Sequence, residues 1–112
     1  MLTDRRWQVE LLVMDENFPQ MEPFQNGDRI GFQGLIRLYG RSYEMVVEGL
    51  ISHYPQIEPK VYLNPHPEEH HWYRTGGQPY LCYRRDGQLW SPARSTLASC
   101  VAVAIKYIKE FS

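Results

Sequence analysis

Ile30, Phe32, Gly34, Ile36 and Leu38 occupy alternate positions in RIGFQGLIRLYG. A period of two marks a strand that turns one apolar face inward. This pattern constrains the chain most, because a sheet with one apolar face needs another layer to cover it. GRS then reads as a turn. YEMVVEGLISHY, with Val46, Val47 and Ile51, reads as the next strand of a hairpin. KVYL supplies a further short strand. A strand around residues 21–25, within the connector NFPQMEPFQNGD and ahead of its Asn-Gly-Asp turn, completes a four-stranded antiparallel meander.

Two helical patterns flank the meander and provide the covering layer. TDRRWQVELLVM is expected to be a helix capped by Thr3 or Asp4, with Trp7, Leu11 and Met14 on one stripe. SPARSTLASCVAVAIKYIKEF is expected to be the last helix, with Pro92 ahead of its start. Its apolar face is Leu97, Cys100, Val101, Ala104, Ile105 and Ile108. Strands in one block and helices outside it define an α+β domain. The 112 residues suffice for one domain, 1–112, and 43% hydrophobic residues can fill one core. Twelve basic and thirteen acidic residues leave no basic footprint for nucleic acid. No apolar run is long enough to cross a bilayer, so no membrane partner is expected. The N-terminal stretch MLTDRRWQVELLVMDE carries charges among its apolar residues, which is unlike a secretory signal. A cytoplasmic location and reduced thiols follow as expectations.

Between the last strand and the last helix lies NPHPEEHHWYRTGGQPY, seventeen residues without a regular pattern. Loops of that length in a small domain are often functional. It leads into YLCYRRDGQLWSPA, which presents Cys82 ahead of a turn at Asp86-Gly87. Arg84 and Arg85 follow the thiol closely, and nearby cations favour the reactive thiolate. Cys100, by contrast, falls on the apolar stripe of the helix and is expected in the core. His66, His70 and His71 stand upstream of Cys82. Their spacing fits no standard zinc site, so neither a metal nor another cofactor is expected. There is no C-x-x-C pair to suggest redox chemistry.

Three features in this order resemble the ubiquitin-conjugating enzyme family. The first is a Tyr-Pro…Pro-x-Val stretch, present as Tyr54, Pro55, Pro59 and Val61 in HYPQIEPKVYL. The second is an apolar residue followed by cysteine, Leu81-Cys82. The third is Trp-Ser-Pro-Ala beginning eight residues after the cysteine, here Trp90-Ser91-Pro92-Ala93, with a helix behind it. The resemblance covers residues 54–111; ahead of them only the order of helix and meander matches. It implies an N-terminal helix, a four-stranded antiparallel meander, a long active-site loop and a C-terminal helix. The family's two further helices have no counterpart here, nor does its later acidic residue. That compactness points to a minimal, prokaryotic-type (bacterial) member.

The resemblance implies an acyl carrier. Cys82 would accept the C-terminal acyl group of a ubiquitin-like protein from an activating-enzyme-like protein, then pass it to an amine on a target protein. The family's His-Pro-Asn motif is missing. The nearest equivalents are His70 and His71, with His71 closer to the thiol, and no asparagine stands ready as oxyanion donor. Trp90, Tyr54 and Pro55 are expected to brace the sheet and the cysteine loop. The first helix docks the activating enzyme in the family, and Arg5, Arg6 and Gln8 are its polar candidates here. The alternative is a catalytically inactive variant of the same fold, a binding scaffold in a conjugation system; the missing asparagine favours it and the retained cysteine opposes it.

Overall fold

The computed structural model describes residues 1–64, 72–73, 80–81 and 90–111. Helix α1 spans Asp4–Asn17, three residues beyond the periodic stretch. Thr3 rather than Asp4 is its N-cap, and its Oγ1 accepts from Arg6 N at 3.1 Å. That satisfies one of the donors a helix start leaves open. At the other end Phe18 N donates to Met14 O at 2.7 Å.

Strands β1 (Glu22–Asn26), β2 (Arg29–Leu38), β3 (Arg41–Leu50) and β4 (Lys60–Asn64) form the expected meander, in spatial order β1-β2-β3-β4 and antiparallel throughout. Gly27, at φ 63°, turns the first hairpin. The register places Phe32 opposite Val47, Ile36 opposite Tyr43 and Met45 opposite Leu63. These residues share the buried face. One detail differs from the sequence reading. The inward set of β3 is Tyr43, Met45 and Val47, so Val46 lies on the opposite face, and Ile51 falls beyond the strand's end. The run Met45-Val46-Val47 hides its own alternation, and only pairing with β2 selects the odd positions.

The second hairpin turns on Tyr39-Gly40 instead of on GRS, with Arg41 and Ser42 already in β3. Both turn residues have positive φ, 53° and 76°. Such a turn matches the twist of the flanking strands but disfavours a residue with a Cβ. Tyr39 is 70% exposed, so little packing offsets its strain. Tyr39→Asn is therefore expected to stabilise the fold by about 0.5–1 kcal/mol. A urea midpoint that falls on this substitution would show that the ring contributes more than the backbone loses.

The seventeen-residue segment contains regular structure that its composition hides. β5 (Trp72–Tyr73) pairs antiparallel with β6 (Tyr80–Leu81), and β6 runs beside β4. Two-residue strands are too short to show a period. Helix α2 spans Leu97–Phe111 and starts later than the sequence suggested. Residues 91–95 form a turn instead, in which Ser91 O accepts from Arg94 N at 3.1 Å and Ser95 N at 2.7 Å. The cause lies in the next residues. Thr96 Oγ1 accepts from Ser99 N at 3.1 Å, and Ser99 Oγ accepts from Thr96 N at 2.9 Å, a reciprocal cap that fixes the helix start.

The helices share the buried face of the sheet. Trp7 meets Phe32 with ring centroids 5.2 Å apart. Leu97, Cys100, Val101, Ala104, Tyr107 and Ile108 of α2 are all at most 1% exposed. Among the described residues no helix is long and apolar enough to cross a membrane.

Candidate functional site

The most unusual group in the core is a carboxylate. Glu10 is 1% exposed, on the same stripe as Trp7 and Met14. Burying such a group is costly unless its oxygens are satisfied. Here both are. Oε2 accepts from Arg6 Nε at 2.8 Å and from the Tyr54 hydroxyl, and Oε1 accepts from Leu97 N at 2.9 Å. Leu97 is the first residue of α2, so the carboxylate from one helix covers the positive end of another. One side chain thereby joins α1, the turn after β3 and the start of α2.

Arg6 extends the junction. Its Nη1 donates to Pro92 O at 2.6 Å, and its Nη2 donates to Ser95 O at 2.6 Å and to Tyr54 Oη at 3.3 Å. The guanidinium also lies 5.3 Å from the centre of the Tyr54 ring. Burial works against its charge, yet the bond to Glu10 and the neighbouring Tyr54 hold its pKa above the ordinary arginine value. This corrects the sequence reading of Arg6 as a docking residue on the outer face of α1. Its side chain is 18% exposed and turned toward the last turn before α2. Arg5 and Gln8 remain exposed. A charged residue four before a buried glutamate was the available signal, and Glu10's place between Trp7 and Met14 was the other.

The opposite side of the 90–96 segment is held by the Tyr-Pro stretch. Trp90 Nε1 donates to Pro55 O at 2.6 Å, and the Trp90 and Tyr54 rings lie 5.7 Å apart, tilted by 49°. Trp90 is half-buried against the core, and Tyr54 is 1% exposed. Tyr54 owes its seat to a glycine. A Cβ on Gly49 would come within 2.9 Å of Tyr54 Cδ1. The turn that delivers Tyr54 is tied to the first hairpin, since Asp28 accepts from Ser52 Oγ at 2.6 Å and from Ser52 N at 3.1 Å. His53 Nδ1 lies 2.8 Å from the same hydroxyl. This Asp-Ser-His group is not a nucleophile triad, because the carboxylate binds the serine directly and leaves the histidine unoriented.

Cys82, His70 and His71 lie outside the described residues, as do His66, Arg84 and Arg85. The flanks of the cysteine segment are described. Leu81, the residue before the thiol, ends β6 and pairs with Trp72, and eight residues after the thiol Trp90 sits on Pro55. Tyr54, Pro55 and Trp90 meet one another at the edge of the core, while the cysteine loop they were expected to brace lies outside the described residues. Cys100 is a free, fully buried thiol, as its helical stripe implied. Burial pushes its pKa well above the ordinary value, and the carboxylates of Glu10 and Glu58 push it further. It is therefore a poor nucleophile.

Tyr54 behaves similarly. Burial, then the carboxylate of Glu10, raises its pKa far above the usual 10.0. Both groups hold their protons more tightly in the folded chain than in the unfolded one. Their contribution to stability is complete below the unfolded pKa values and drains away above them, because only the unfolded chain sheds these protons. Stability is thus expected to fall above about pH 9, by up to ~1.4 kcal/mol per pH unit for each group. Tyr54→Phe should flatten the limb above about pH 10, where the phenol of the unfolded chain ionises. Urea melts across that range measure it, and an identical limb in the variant would show that Tyr54 is not the group responsible.

Compared with protein-family models, with curated proteins and with solved structures, the chain matches none of them.

Proposed function

We propose that the chain is a ubiquitin-conjugating-like carrier that holds a ubiquitin-like protein as a thioester on Cys82. One observation carries the reading. The two stretches on which the sequence resemblance rests, Tyr54-Pro55 and Trp90-Ser91-Pro92-Ala93, are 35 residues apart in the chain yet joined by the Trp90–Pro55 hydrogen bond. Two motifs picked out separately by sequence thus meet ahead of α2, which supports the reading. The order of helix, antiparallel meander and C-terminal helix supports the same reading.

A carrier of this kind needs little pocket chemistry. The Cys82 thiolate attacks the carbonyl carbon of the thioester on the activating enzyme. A new C–S bond forms, the old one breaks, and the enzyme's thiolate leaves. The exchange replaces one thioester by another, so it is close to balanced and positioning supplies most of the rate. Transfer to an amine is more demanding. The amine nitrogen bonds to the carbonyl carbon, the Cys82 thiolate leaves, and the nitrogen loses a proton. That step requires a base and a donor for the oxyanion, and a backbone N–H or one of His71 and His70 stands in for the family's missing asparagine.

The direct test is incubation with an activating-enzyme-like protein, ATP and its ubiquitin-like protein. An adduct that dithiothreitol cleaves is the expected result. Stable binding to that enzyme with no adduct would favour the scaffold reading instead.

A further inference from the structure

We propose that a cavity on the outer face of the sheet, between Arg29 and Glu58, binds a small zwitterion, a free α-amino acid with an apolar side chain. The proposal does not depend on the role of Cys82. The cavity measures about 270 Å³ and opens among the start of β2, the end of β3, the turn that follows and the start of β4. That is smaller than a pocket for a drug-sized ligand, so its occupant is small.

The positive side of the cavity is built on an ion pair. Glu48 follows the inward-facing Val47 in β3 and so lies on the face away from the helices, yet it is only 8% exposed. Arg29 Nε donates to Glu48 Oε2 at 2.7 Å. This bond fixes the plane of the guanidinium, while the arginine side chain as a whole stays 52% exposed. Nη1 and Nη2 donate to none of the described residues. A planar pair of donors held in place by a buried carboxylate is suited to a second carboxylate, which it can meet with two parallel bonds. Lys60, the partner of Glu48 across the ladder, adds another cation to the lining.

The negative side is Glu58. It is half-buried ahead of β4, lines the same cavity and accepts from none of the described residues, and its Oε2 is buried without a partner. A carboxylate in such a place is costly unless a donor reaches it. An ammonium group carries three donors. Leu50 and Ile57, both exposed, line the cavity with Tyr62 and offer apolar surface to a hydrocarbon side chain. A plain anion would leave Glu58 without a donor, and a plain amine would face Arg29 and Lys60. A molecule carrying both charges satisfies both sides.

The whole chain, labelled with nitrogen-15, is titrated with L-leucine and with two fragments that each lack one charge, 4-methylpentanoate and 3-methylbutylamine. L-leucine is expected to give saturable shifts at the amides of Gly49, Leu50 and Lys60. Each fragment should bind about tenfold more weakly or worse, because it leaves one fixed group unpaired. Arg29→Gln should lower L-leucine to the affinity of the amine fragment, and Glu58→Gln should lower it to that of the acid fragment. Arg29→Lys keeps a charge beside Glu48 but not the fork, so it should also weaken L-leucine, and it carries the test if Arg29→Gln does not fold. Exposed Arg37→Gln, at the far end of β2, should change nothing. If 4-methylpentanoate binds as tightly as L-leucine, the cavity is a plain anion site; if the amine does, it is a plain cation site. Either result overturns the proposal. So does a lack of saturation by L-leucine, or saturation that Arg29→Gln and Glu58→Gln leave unaltered.

Discussion

Glu10→Ala is expected to destabilise the fold by ~3–5 kcal/mol, the usual cost of removing one partner from a buried ion pair. The substitution removes far more than one contact. The Arg6 guanidinium, the Tyr54 hydroxyl and the Leu97 N–H all lose their acceptor at once. Each is then a buried or half-buried donor without its bond, and unmade bonds in such places cost more than made ones contribute. Glu10→Gln should cost less, because its carbonyl oxygen still accepts, but its amide nitrogen must then face another donor. The double replacement Arg6→Met/Glu10→Leu should cost less than the sum of the single ones, since no charge is left uncompensated. Urea melts of the four proteins measure all of this. A loss below about 1 kcal/mol for Glu10→Ala would place the carboxylate in water instead of in the core.

The second large effect concerns the adduct. Cys82→Ala is expected to form no adduct with the activating enzyme, ATP and ubiquitin-like protein, while Cys100→Ala still forms one. Cys82→Ser should give an oxyester that dithiothreitol does not cleave, since an alkoxide is a far poorer leaving group than a thiolate. His71→Ala should slow discharge more than loading, because amine attack makes the heavier demand for proton transfer. A dithiothreitol-sensitive adduct on Cys82→Ala would remove Cys82 from the carrier role. The structure makes Cys100 an unsuitable substitute, since its thiol is fully buried and holds its proton well above the ordinary pKa.

Among the elements, legibility followed length and exposure of pattern. β2 was readable because ten residues of alternation leave one face apolar, and α2 because its stripe repeats over four turns. β3 was readable as a strand but not in its register, because Met45, Val46 and Val47 are all apolar. β5 and β6 were not readable, because two residues carry no period and their pairing joins positions separated by the polar sequence RTGGQP. The brace at Trp90 was legible only through resemblance: nothing in WSPA by itself indicates that its indole reaches Pro55.

The sequence by itself determined the α+β class, the meander with its flanking helices and the buried thiol at Cys100. Each depends on local chemistry: hydrophobic period, capping residues or turn residues. Only the tertiary structure decided that Arg6 turns inward, that Glu10 is a core residue, and that α1, the Tyr54 turn and the start of α2 meet on one carboxylate. A lone glutamate on an apolar stripe is costly in isolation, and four residues from an arginine it reads as a surface pair. It becomes favourable only when a phenol and a helix N-terminus, 44 and 87 residues away, arrive to satisfy it. Local pattern does not encode partners at that separation, because they come together only when the sheet brings both helices onto one face.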